Sequence, residues 1–146
     1  MRGADQPPRF KLDLTVEVRP ILVGGVNIGW NPESSLTPAL RDNGLLRGEP
    51  RPAGEGTVYP LLLKRDAMAS IPVGVGMLGL GTRGDGLVLL LPTAFAMMVG
   101  NKLAAVSTTV EQREDGLLYH LALPRGRPFS MRVMNITIGL LLPVEP

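Results

Sequence analysis

From Phe10 to Arg19 the chain alternates apolar and polar side chains without a fault. Phe10, Leu12, Leu14, Val16 and Val18 fall on one side; Lys11, Asp13, Thr15, Glu17 and Arg19 fall on the other. A period of two is the signature of a strand with one face buried and one face wet. Such a strand has to lay its apolar face on a second layer, which commits the chain to a packed β architecture. Pro20 ends the run or marks a sheet edge.

Composition narrows this further. Gly (18) and Pro (14) together make 32 of 146 residues, and both interrupt helices, so long helices are excluded. With 45% hydrophobic and 19% charged residues the chain can bury a core. At 146 residues it is one domain's worth and needs no metal or disulfide to fold.

The rest of the chain reads as short elements. Residues 21–30, with Gly24, Gly25 and Gly29, suggest a second, bulged strand. Thr37 is placed as an N-cap, Pro38 as the first helical residue and Gly44 as the stop of one short helix. In residues 47–56, Gly48, Pro50, Pro52, Gly54 and Gly56 argue against regular structure, leaving an arm-like excursion. Residues 58–64 form a strand that Pro60 assigns to an edge, and residues 87–91 a short buried strand. Thr93 caps a helix over residues 93–104, with Phe95, Met98, Val99 and Leu103 on one face. Residues 106–113 and 117–123 flank Glu114-Asp115-Gly116 as a hairpin, and residues 129–142 make one last strand, bent near Gly139.

The predicted fold is mostly β: a compact barrel or sandwich of short strands, with one or two short helices and an extended N-terminal arm. Residues 1–9 are the arm; residues 10–146 are a single β-rich domain with a Pro/Gly-rich excursion at 45–56.

Charge and motifs exclude several classes. The net charge is +2, with alternating signs and only 4% aromatics, which is not a nucleic-acid footprint. There is no Cys, so disulfides and thiolate chemistry are out. Scarce Asn and Gln, absent Cys and loop prolines point to a thermophilic source. The start has no apolar core of signal-peptide length, and no stretch is long enough to span a membrane.

Gly74-Val75-Gly76-Met77-Leu78-Gly79 matches a dinucleotide fingerprint, but no helix pattern follows, so it reads as glycine-rich backbone packed closely. Arg83-Gly84-Asp85 reads as part of a turn, and Asn135-Ile136-Thr137 as a chance glycosylation match.

His120 is the single histidine and reads as a solvent-facing strand residue. Ser34, Ser35, Ser70, Ser107 and Ser130 lie in no nucleophile elbow. Met68, Met77, Met97, Met98, Met131 and Met134 read as core filling in a chain poor in aromatics. The expectation is therefore no catalytic residue, no cofactor and no metal.

The readings that remain are a structural interaction protein (a capsid protein, or a tail or baseplate β protein), a small ligand-binding or enzymatic barrel using His120 and a nearby acid or Ser, and, behind these, a nucleic-acid-binding β barrel using scattered Arg. The arm (residues 1–9), the strand (10–19), the excursion (45–56) and the β-rich remainder bring in a family. The chain resembles the head decoration (cement) proteins of tailed bacteriophages, above all those of long-tailed siphophages of thermophilic bacteria. The resemblance implies a homotrimer on the outside of an icosahedral head, made in the host cytoplasm. It would clamp the major capsid protein after expansion, with no nucleic acid or membrane as partner. The residues expected to meet that partner lie in the arm: Arg2, Asp5, Gln6, Pro7, Pro8 and Arg9.

Overall fold

The alternating segment forms strand β1 (Arg9–Val18), with Phe10, Leu12, Leu14 and Val16 buried and their neighbours turned outward. A computed structural model of the chain describes residues 9–29, 33–73, 76–84, 86–133 and 135–144. The further elements are β2 (Leu22–Val23), β3 (Val26–Asn27), α1 (Glu33–Asp42), β4 (Arg51–Ala53), β5 (Gly56–Lys64), β6 (Met68–Val73) and β7 (Gly76–Arg83). There follow β8 (Gly86–Leu91), α2 (Thr93–Ala104), β9 (Ser107–Arg113), β10 (Gly116–Leu121), β11 (Phe129–Val133) and β12 (Ile136–Leu141).

Two five-stranded antiparallel sheets carry the fold, ordered β11-β12-β1-β5-β4 and β6-β7-β8-β10-β9, and neither closes into a barrel. The arrangement is a sandwich. β1 sits in the middle of the first sheet, with Leu12 opposite Leu61 and Phe10 opposite Leu63 of β5. Ile71, Leu80, Leu87, Leu89, Tyr119 and Leu121 supply the apolar side of the second sheet. Leu36 and Leu40 of α1, and Phe95, Ala96, Val99 and Leu103 of α2, join the same core.

Several expectations are corrected. The helix begins at Glu33, so Pro38 lies inside it rather than at its first position. An interior proline costs a helix about 3 kcal/mol. Leu36 and Leu40, one turn apart and both fully buried, contribute roughly 1.5–3 kcal/mol each and offset it. Gly44 ends the helix as expected, at φ +67°. α2 has the expected bounds, but Pro92 rather than Thr93 is its N-cap, and Met98 faces out while Ala96 faces in.

The excursion is not an arm. β4 pairs with β5, Pro52 opposite Thr57, on the sheet's edge, where a missing N–H is tolerated. Arg47 N donates to Pro60 O (2.9 Å), and Leu62 N donates to Leu45 O (2.7 Å). The Arg47 guanidinium also meets the Asp13 carboxylate, tying the segment to β1. β5 is accordingly one strand in from the edge. Pro60 fits there because a strand residue's N and C=O point the same way, here toward Arg47 rather than β1.

The last strand is two. β11 and β12 form a hairpin, Val133 opposite Ile136, where one bent strand was expected. Between them Asn135 is 3% exposed, and its Nδ2 donates to Arg19 O at 2.9 Å. That burial also removes Asn135 from any glycosylation reading. In β7, a Cβ on Gly79 would stand 2.7 Å from Met68 Sδ and 2.8 Å from Leu90 Cβ, so the motif's last glycine makes room for side chains; the close backbone approach, 2.1 Å from Ala67 O, is at Gly81, two residues past the motif. Gly74, which opens that motif, lies outside the described residues.

Candidate functional site

Residues 21–28 form a small apolar hairpin in place of the expected bulged strand. β2 and β3 are joined by Gly24 and Gly25 at φ +58° and +83°. Positive φ at both central residues is the tight turn that suits the natural twist of two strands. Leu22 lies opposite Asn27, Val23 opposite Val26, and Ile28 N donates to Ile21 O at 2.8 Å. By strand alternation Ile21, Val23, Val26 and Ile28 share one face, and Leu22 and Asn27 share the other.

None of these aliphatics is covered. Ile21 is 38% exposed, Leu22 65%, Val23 59%, Val26 62% and Ile28 62%. Soluble monomers rarely leave so many aliphatics together on one small element. The base of the hairpin is held firmly. Asn27 Oδ1 accepts from Ile21 N (3.1 Å) and Gly29 N (2.8 Å). Arg19 N donates to Asn135 O (2.9 Å), and the Asn135 amide returns the bond to Arg19 O. A Cβ on Gly29 would stand 2.8 Å from Asn135 Nδ2, so glycine there lets the hairpin root close on the clamp. The signal was in the sequence: Gly-Gly between two alternating aliphatic pairs is a hairpin pattern.

His120 has a partner that the sequence reading missed. Its Nε2 lies 2.7 Å from Glu111 Oε2, on the neighbouring strand. His120 pairs with Thr109 and Leu118 with Glu111, so the two side chains are diagonal neighbours on one face. Arg83 Nη1 stands 3.6 Å from the same carboxylate oxygen. The His120 hydrogen bond, with the charges of His120, Arg83 and Arg113, holds the Glu111 carboxyl below its ordinary range, against a smaller opposing effect of burial. A cavity of about 190 Å³ opens beside Arg83 and Val88.

Because folding depresses the Glu111 pKa, its stabilisation is complete above the unfolded value and is lost as pH falls through the folded one. Glu111→Gln should therefore lower the melting temperature at pH 7, and the gap between variant and wild type should close in acid. A gap that stays constant from pH 7 to pH 3 would contradict the ion-paired arrangement.

The arm residues Arg2, Asp5, Gln6, Pro7 and Pro8 lie outside the described residues, and Arg9 opens β1 opposite Lys64. Ser107 is engaged elsewhere, donating to Leu103 O at 2.6 Å. Among the described residues no three His, Asp or Glu side chains gather as a metal site, and no helix is long and apolar enough to cross a membrane. The methionines depart from the core-filling expectation. Met131 is buried, but Met77 and Met98 are about half exposed and Met97 is 83% exposed. Comparison with protein-family models, curated proteins and solved structures gave no match.

Proposed function

We propose that this chain is a structural subunit of a phage head: a homotrimer on the capsid exterior that clamps neighbouring copies of the major capsid protein. The observation that carries the reading is the aliphatic hairpin, five exposed large side chains on a rooted two-stranded projection. An isolated two-stranded hairpin is marginal in water. Holding one out from the core makes physical sense when another subunit covers it. The open sandwich supplies a rigid body for that projection, and the sequence resemblance supplies the kind of assembly.

The arm belongs to the same reading. Gln6-Pro7-Pro8 favours extended backbone. Ordering it on a partner costs roughly 1–2 kcal/mol per residue, which many simultaneous contacts on a shell offset. Deleting residues 1–8, and sparing Arg9 because it pairs with Lys64, should leave the melting temperature within about 3 °C of wild type. The same deletion should weaken co-sedimentation with expanded, empty heads by about tenfold or more. Equal binding by both forms would remove the arm from the account. Wild-type protein left wholly in the supernatant would overturn the head-binding reading itself.

One observation favours the second reading, a small ligand-binding or enzymatic β protein: His120, Glu111 and Arg83 meet next to a cavity. Head binding unchanged by His120→Ala supports the structural reading. An assayed turnover lost on that substitution supports the alternative.

A further inference from the structure

We propose that the face formed by Ile21, Val23, Val26 and Ile28 is the contact through which copies of this chain associate, hairpin against hairpin. The inference rests on the assembly reading above and names the occupant of the exposed surface.

The first argument is chemical. The ten residues 20–29 carry no charge, and the side-chain oxygen of their one polar residue, Asn27, already accepts two backbone bonds within the hairpin. Gathering the four-residue faces of three copies around a three-fold axis strands no charge and leaves that oxygen satisfied. Bringing copies together costs little electrostatically, since the whole chain carries only +2.

The second argument is area. Four β-branched side chains, between 38% and 62% exposed, form a two-by-two patch on one face of the hairpin. Such a patch covers a few hundred Å², about the largest that single chains normally leave bare. A stable interface needs about 800 Å² per partner, so the hairpin supplies the apolar centre and its surroundings the rim. In a closed trimer the three hairpins converge on the three-fold axis, so each meets both neighbours and the one patch serves every contact.

The third argument excludes lipid as the better occupant. Val23 and Val26 close the two-residue turn, so the backbone groups of Leu22 and Asn27 point out from the hairpin's two edges. Hydrocarbon cannot satisfy open strand edges, whereas another polypeptide or the water at an interface rim can. Residues 20–29 also lack the basic and aromatic side chains by which surface elements hold to membranes.

The test measures the mass of the full chain by light scattering at micromolar concentration, for wild type and three variants. Wild type should be oligomeric. The Val23→Asp/Val26→Asp double variant should be monomeric, and the milder Val23→Thr/Val26→Thr pair should associate about tenfold or more weakly. Leu22→Asp, on the opposite face, should associate within about twofold of wild type. Circular dichroism confirms that each is folded, and the threonine pair keeps the test open if the aspartates disturb the hairpin.

Wild-type mass in both face variants would overturn the contact. So would a monomeric wild type, or flotation of wild type with neutral phosphatidylcholine vesicles that the same substitutions abolish. The head-binding reading fails separately: an oligomer that obeys all these expectations but never pellets with expanded heads retains this contact and loses that function.

Discussion

Gly116→Ala is expected to destabilise the domain by about 4 kcal/mol, lowering the melting temperature by roughly 10–15 °C. Gly116 opens β10 at φ +145°, a backbone region essentially closed to L side chains. A Cβ there would stand 2.0 Å from Leu91 O, 2.8 Å from Leu91 C and 3.1 Å from Pro92 Cα. These are backbone atoms of the neighbouring strand and the N-cap of α2, so no side chain can swing aside. The strand pair β8–β10, in the middle of the second sheet, would have to part. Gly54→Ala is the control. It has φ +62° but nothing within 4 Å of the added Cβ, so it should cost only about 1 kcal/mol of backbone strain. Equal losses at the two positions would show that conformation, and not the close approach to Leu91, governs Gly116.

Leu12→Ala should cost about 3 kcal/mol. Leu12 is fully buried on the central strand of the first sheet, opposite Leu61, which is fully buried as well. Well-packed sheets on both sides leave little room for collapse into the space vacated, so the cavity penalty adds to the lost transfer energy. Thr15→Ala, on the outward face of the same strand, should fall within about 0.5 kcal/mol of wild type. Urea melts of the two variants check the contrast, and a Leu12→Ala loss as small as that at Thr15 would mean that the alternation does not set the buried face.

That contrast marks what the sequence made readable. The faultless alternation of β1, the bounds of α2 and the β9–β10 hairpin are local signals, and each element follows them, although the hairpin turns on Glu114-Asp115 and Gly116 already pairs with Arg113. What escaped was decided at a distance. Pro38 looks like a helix start, but Leu36 and Leu40 gain a core that holds the proline inside the helix. Pro52 looks like a breaker, but β5 offers it an edge where its missing N–H is harmless. The β11–β12 turn carries neither Gly nor Pro between Val133 and Ile136; what singles out Asn135 is its bonds to Arg19, 116 residues away in sequence. The exposed methionines Met97 and Met98 look apolar enough for a core, yet the helix phase set by Phe95, Val99 and Leu103 turns them out.

The candidate site divides in the same way. The His120–Glu111 pair joins residues nine apart and follows from strand register, which alternation alone does not fix. The hairpin's Gly-Gly signal was readable, but its exposure was not, since nothing in residues 21–28 states that the core will be complete without them.

The most direct measurement is electron cryomicroscopy of expanded, empty heads incubated with the purified protein. The account predicts density for three copies on the outer surface at the three-fold and quasi-three-fold positions, with the hairpins covered by neighbouring protein. Bare heads at saturating protein, or single copies bound with the hairpin facing solvent, would contradict it.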